Sequence, residues 1–137
     1  MAGYSGTPLP KKLGIKDQYQ IAFIGLPADV KAELQDALGS CKIVKDGQAS
    51  LDFAMIFVKS AADLKKSFTP FAKRLASAGM LWVSWPKKSS GVATDLTEDE
   101  VRRIGLDAGL VDVKVCAVSE VWSGLKFVIR LKDRPKM

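Results

Sequence analysis

The segment 80–100, MLWVSWPKKSSGVATDLTEDE, does most to limit how this chain can fold. It opens with an apolar run, residues 80–84, of the length of a buried strand and too short for a core helix. Pro86 breaks the run. A basic Ser/Gly loop follows at 87–91, then a second loop at 92–96. Thr97 with Glu100 three residues later matches a capping box and predicts a helix start. Strand, polar loop and helix N-terminus in that order form the repeating unit of an open α/β sheet, which places its ligands beyond the carboxyl ends of its strands.

The rest of the chain supplies more of the same units. Residues 20–24 form a short apolar run ending at Gly25, and Pro27 then opens a helix over 28–38, with Val30, Leu34, Ala37 and Leu38 as its stripe and Gly39 as its stop. Residues 41–44 are a weaker strand, followed by the turn signal Asp46-Gly47. Residues 51–58, LDFAMIFV, read as a strand buried on both faces. Ser60, with Asp63 behind it, caps a helix predicted to reach Ala78, with Leu64, Phe68, Phe71 and Leu75 facing the core. Pro70 predicts a kink or break near Phe68, and Gly79 closes the helix.

The helix after Thr97 turns Val101, Ile104 and Leu106 inward and ends at Gly109. Residues 111–118 alternate, with Val111, Val113, Val115 and Ala117 on one face. A link containing Trp122, Ser123 and Gly124 leads into a last strand at 125–131. That link is too short for a helical crossover, so the last two strands are antiparallel neighbours. The sheet end beside residues 125–131 is then free to pair between subunits, although periodicity leaves the oligomeric state open. Residues 1–19 are a polar arm punctuated by Gly3, Gly6, Pro8, Pro10 and Gly14, and residues 20–137 form a single α/β domain.

Composition narrows the chemistry. The 137 residues contain no histidine, which removes the usual general base, the Ser–His and Cys–His nucleophile pairs and the commonest zinc ligand. No metal site and no catalytic set is expected, and an enzyme is the less favoured class. Cys41 and Cys116 are expected as buried thiols rather than a disulfide. No apolar run has the length of a membrane span, and the first residues lack the apolar core of a signal peptide, so a cytoplasmic placement without membrane contact is expected. The net charge of +6 permits contact with nucleic acid, but the basic residues are scattered in pairs, and charge alone supports that partner weakly.

Strands alternating with helices predict an α/β fold, a mainly parallel twisted sheet with helices on both faces and a C-terminal antiparallel strand. A shortened Rossmann-like topology of this kind resembles class I methyltransferase domains in its ending of strand, helix, strand and antiparallel strand. Three further stretches resemble a family of small bacterial proteins classed as a domain of unknown function. They are Gly3-Tyr-Ser-Gly-Thr-Pro-Leu-Pro-Lys-Lys-Leu-Gly14, Leu81-Trp-Val-Ser-Trp-Pro-Lys-Lys-Ser-Ser-Gly-Val-Ala-Thr-Asp-Leu-Thr-Glu-Asp99, and Gly109-Leu-Val-Asp-Val-Lys-Val-Cys-Ala-Val118 with Trp122-Ser-Gly-Leu-Lys126. The resemblance implies a compact, methyltransferase-like α/β domain and carries no activity to particular residues.

Candidate sites follow from the loops. Lys87, Lys88, Ser89, Ser90 and Gly91 offer two ammonium groups, two hydroxyls and close backbone approach to a phosphate or carboxylate. A solvated surface loop is the competing account, favoured by Glu98, Asp99 and Glu100, which already complement the next helix dipole. Thr94 and Asp95 could bind a ribose or amine, or Asp95 or Thr97 could cap that helix. Trp122, Ser123 and Gly124, with Glu120, could stack on a flat ligand or a partner. Trp82 and Trp85 point to opposite faces of their strand and belong to the core. The arm, with Tyr4, Ser5, Gly6, Thr7, Lys11 and Lys12, could close as a lid or dock as an ordinary terminus.

Against a nucleotide-type cofactor stands the first strand. It ends Ile24-Gly25-Leu26-Pro27, with one glycine where such a site expects a glycine-rich turn, and Asp46 is a poor substitute for the acidic ribose ligand. No cofactor is therefore expected. The reading is a small non-enzymatic module that binds an anionic small molecule or a protein partner through residues 87–95 and 122–124. The alternatives are a reduced S-adenosylmethionine-dependent or nucleotide-using transferase with Asp95 or Glu120 as acid/base, and a nucleic-acid-binding protein.

Overall fold

The computed structural model describes residues 7–44 and 50–134. The Asp46-Gly47 turn and residues 1–6 of the arm lie outside them. Six strands form one sheet: β1 (Gln20–Ile24), β2 (Lys42–Ile43), β3 (Leu51–Phe57), β4 (Leu75–Pro86), β5 (Leu110–Ala117) and β6 (Trp122–Ile129), in the order β2-β1-β3-β4-β6-β5. β1 pairs in parallel with β2 and β3, and β3 in parallel with β4. β6 lies antiparallel between β4 and β5.

Four helices cover the two faces: α1 (Leu9–Leu13), α2 (Ala28–Leu38), α3 (Ala61–Ala72) and α4 (Glu98–Asp107). One face packs Leu64, Phe68 and Phe71 of α3 and Val101 and Ile104 of α4 onto Ala54, Ile56, Leu81, Val83, Leu125 and Phe127. The other packs Leu9 and Leu13 of α1 and Val30 and Leu34 of α2 onto Ile21, Phe53, Met55 and Trp82. The alternation of the two sets along β3 and β4 is the period-2 geometry of a strand covered on both sides. Trp82 and Trp85 are both buried, in opposite layers. Trp82 donates its indole N–H to the Leu13 carbonyl, which ties α1 to the centre of the sheet.

Several local expectations are corrected. The helix over residues 61–78 ends at Ala72, and Leu75–Gly79 open β4 instead. Leu75 is spaced like the next member of the helical stripe, but its partner is Leu51 across the sheet, on the far side of a register shift in β3–β4 pairing. A Cβ at Gly79 would lie 2.5 Å from the Leu51 carbonyl oxygen, so this glycine serves a close strand crossing rather than a helix stop. α3 also runs unbroken through Phe68, with Pro70 inside its last turn.

In α4 the inward positions are Val101, Ile104 and Gly105, while Leu106 is exposed. Gly105 is what lets the helix sit on Phe127, since a Cβ there would come within 2.1 Å of that ring. In β5 the single face expected for Val111, Val113, Val115 and Ala117 is broken. A register shift between Asp112 and Lys114 turns the strand over, and Val113 and Val115 are exposed while Leu110 and Cys116 are buried. Finally, the sheet's open edges are β2 and β5, so residues 125–128 are interior and paired on both sides. The last strand itself starts at Trp122 and stops at Ile129.

Candidate functional site

β4 delivers its chain to the carboxyl end of the sheet at Pro86, and the eleven residues 87–97 then lead to α4. Lys88–Ser90 form one 3-10 turn, ended by Gly91 in the left-handed region at φ 77°. Ser90 Oγ donates to the Lys87 carbonyl at 2.6 Å and accepts from Val92 N–H, so this hydroxyl is committed to shaping its own loop. Ser89 is exposed. The ammonium groups of Lys87 and Lys88 have no ion-pair partner among the described residues.

Thr94 and Asp95 are committed elsewhere. Thr94 Oγ1 donates to the Lys59 carbonyl at 2.6 Å and accepts from Leu96 N–H. Asp95 Oδ1 accepts from Ala61 N–H at 2.8 Å, which places its charge on the first turn of α3. Asp95 therefore caps a helix 34 residues upstream, and Thr97 caps α4 by accepting from Glu100 N–H at 3.2 Å. Leu96 between them is buried against the α3–α4 layer. The loop is thus pinned at one end to α3 and at the other to α4.

Trp122, Ser123 and Gly124, expected in a loop, are the first three residues of β6, paired with Pro86, Trp85 and Ser84. The Trp122 ring meets Phe57 edge-on at 5.2 Å between centroids, so its indole closes the apolar layer and is not presented on a loop. Gly124 makes room for Trp82, whose ring would lie 3.2 Å from a Cβ there. Glu120 is exposed in the β5–β6 turn.

A cleft of about 470 Å³ opens where these elements meet. One wall carries Trp85, Pro86, Lys87 and Lys88, the other Leu96, Thr97, Glu98 and Asp99, and Ser123 joins them. Of the sequence candidates, Lys87, Lys88 and Ser123 line it; Ser89, Ser90, Gly91, Thr94, Asp95, Trp122 and Gly124 do not. Sequence reasoning missed Leu96, Thr97, Glu98 and Asp99 as the facing wall, although the capping box already put a helix end there. The acidic wall is partly neutralised. Arg102 bonds Glu98 at 2.7 Å and Asp99 at 3.2 Å and reaches Asp112 of β5 at 2.9 Å, and these hydrogen bonds, Asp112's foremost, hold its guanidinium firmly protonated. Glu100 pairs with Arg103, whose hydrogen bond lowers the Glu100 pKa.

The turn after β1 has a different character. Gly25 takes φ 69°, and a Cβ there would stand 2.9 Å from the Phe57 carbonyl oxygen. This single glycine brings two strand ends together at the point where crossovers leave for opposite faces of the sheet. Beside it, a second cleft of about 670 Å³ is lined mainly by apolar side chains, among them Phe23, Ile24, Leu26, Ile43 and Val44. Among the described residues, no helix is long and apolar enough to cross a membrane.

Comparison with solved structures places this architecture. The fold is similar to the fibrillarin pre-rRNA processing protein of Methanococcus jannaschii, with 13% identity, a TM-score of 0.54 and coverage of 90% of this chain and 69% of that one. It is similar to a precorrin-6y C5,15-methyltransferase of Geobacter metallireducens, at 11% identity and a TM-score of 0.55 over 88% of this chain and 85% of the other. A TehB-like SAM-dependent methyltransferase of Corynebacterium glutamicum matches at 7% identity and a TM-score of 0.56, over 89% and 85% of the two chains. At these identities the likeness is one of fold, a methyltransferase-like Rossmann-type sheet. No curated protein matches the chain in sequence. The family model described as "Protein of unknown function (DUF3052)" matches residues 11–131, and the chain belongs to that family.

Proposed function

We propose that the protein is a non-enzymatic binding module whose cleft at the carboxyl end of β4 takes an anionic group, carboxylate or phosphate, on Lys87 and Lys88. The observation that carries this reading is the pair of ammonium groups at the cleft wall with no ion-pair partner among the described residues. Ser123 adds a hydroxyl from the neighbouring strand. The carboxylates opposite are a smaller obstacle than their number suggests, because Arg102 already engages both Glu98 and Asp99. The ligand is held by side-chain charge and hydroxyl, without help from the α4 dipole.

A thermal-shift screen against simple anions, sugar phosphates, nucleotides and S-adenosylmethionine tests it, since a ligand that binds only the folded state raises the midpoint by mass action. A saturable shift that disappears in the Lys87→Ala/Lys88→Ala double variant supports the reading. An identical shift in that variant would sink it. A flat screen moves the anionic group onto a protein partner, for which the same double variant is compared in a pull-down.

A second reading is a reduced S-adenosylmethionine-dependent or nucleotide-using transferase. What favours it is the cleft of about 670 Å³ beside the carboxyl ends of β1 and β2, in a fold shared with methyltransferases. Against it, Asp95, one of its two acid/base candidates with Glu120, already accepts a hydrogen bond from the α3 backbone. Calorimetry with S-adenosylmethionine at roughly millimolar concentration decides, because the free energy of even that weak binding is measurable. Nucleic-acid binding rests on net charge alone; an affinity that fails to fall as salt rises would exclude its phosphate-driven form.

A further inference from the structure

On the face of the sheet that carries α1, Lys114 of β5 and Lys126 of β6 stand directly opposite each other in the antiparallel ladder. Like charges in that position destabilise a sheet. Lys16, just beyond α1, lies close enough to add its field at Lys126. Lys12 of α1 completes the group, with its ammonium on the Ala117 carbonyl at 3.0 Å, while Lys114 Nζ reaches back to the Lys12 carbonyl at 3.1 Å. The carboxylate nearest in sequence, Asp17, accepts from Ser40 Oγ at 2.8 Å. Lys126 is half-buried and donates no hydrogen bond to any described residue.

The electrostatics agree with the geometry. Burial, then the charges of Lys114 and Lys16, lowers the Lys126 pKa, and among the described residues no carboxylate offsets them. The bulge at Val113 is what assembles the cluster. By turning β5 over, it puts Lys114 on the same face as Lys126 instead of on the opposite one. A chain that needed only solubility could place these lysines anywhere on its surface.

We infer that Lys16, Lys114 and Lys126, with Lys12 beside them, form a second anion site, built for a compact phosphate-bearing group. Lys114 and Lys126 share one ladder position and Lys12 stands on the helix tied to Lys114, a compact grouping that fits a pyrophosphate or phosphate monoester better than an extended nucleic-acid backbone. This site is independent of the cleft at Lys87 and Lys88, and either can fail without the other.

Calorimetric titration with inorganic pyrophosphate is the test, on the wild type, on Lys87→Ala/Lys88→Ala, and on that variant with Lys126→Met added. Saturable binding is expected to persist in Lys87→Ala/Lys88→Ala, where only this site remains, and to weaken about tenfold or more, by loss of one charge-assisted contact, when Lys126→Met is added to that variant. Methionine keeps the apolar stem and removes the like-charge opposition, so the urea midpoint of Lys126→Met should equal or exceed that of the wild type, which separates lost binding from lost folding. No saturable binding in Lys87→Ala/Lys88→Ala, or equal affinity once Lys126→Met is added to it, overturns the site. So does tighter binding of a single-stranded oligonucleotide than of pyrophosphate with the steeper salt dependence, which would assign the face to a nucleic-acid backbone.

Discussion

The connections that leave β1 and β4 do the same topological job and are built to opposite ends. Each takes a parallel strand at its carboxyl end into the N-terminus of a helix. After β1 the link is Gly25-Leu26-Pro27, and its glycine is pressed against the Phe57 backbone. After β4 it spans residues 87–97, holds its own 3-10 turn, and has its polar groups tied to Lys59, Ala61 and Glu100. In the short link the glycine is used for packing. In the long one it is used only for a change of direction, and charged side chains are left facing a cleft. A scaffold of this type places ligands at strand carboxyl ends, and in the proposed function the longer link takes that role.

Alanine at the two glycines tests that difference most directly. Gly25→Ala combines a left-handed backbone with a Cβ 2.9 Å from a backbone oxygen that cannot swing aside. The conformational term is about 1–2 kcal/mol and forced packing about 1–3 kcal/mol, so a loss of order 3 kcal/mol is expected in urea denaturation. A loss under about 1 kcal/mol would mean that the strand ends part easily and that the β1 link is not a packing device. Asp95→Ala comes next. It removes the side chain that receives Ala61 N–H, and loss of such a cap costs about 1 kcal/mol, up to 2. Hydrogen exchange at Ala61 should accelerate in parallel. An Asp95 that served only as an acid/base would leave both readouts unmoved.

How much of this was legible in the sequence follows from where the partners lie. β1 and α2 were read with their observed limits because their signals are local: a five-residue apolar run, a glycine, a proline, then one apolar stripe. The closing antiparallel pair was legible from loop length alone. Leu75 was misassigned because its spacing from Phe71 satisfies the helical period, and nothing nearby reveals that its true neighbour is Leu51. Val113 and Val115 were placed on one face with Val111 by an alternation that a register shift interrupts. The roles of Thr94 and Asp95 were beyond reach for the same reason, since their partners Lys59 and Ala61 sit 35 and 34 residues away. Gly124 did carry a usable signal, because a glycine inside an apolar, aromatic run marks close approach of a neighbour, here Trp82.

Smaller effects are expected where the long link is open. Gly91→Ala meets the same left-handed backbone as Gly25→Ala, but no heavy atom lies within 4 Å of the new Cβ. Only the conformational cost applies, about 1–2 kcal/mol at most, so the gap between the two alanine variants measures the packing contribution by itself. Least of all should move with Lys87→Ala/Lys88→Ala. Neither lysine has an ion-pair partner among the described residues, and surface changes of that kind usually stay within about 0.5 kcal/mol. If the double variant unfolds at the wild-type urea concentration yet loses its anion-dependent thermal shift, the two lysines are maintained for contact and not for folding. A midpoint that falls as far as that of Asp95→Ala would instead make them part of the loop's own framework, and the long link would then be a structural strap like the short one.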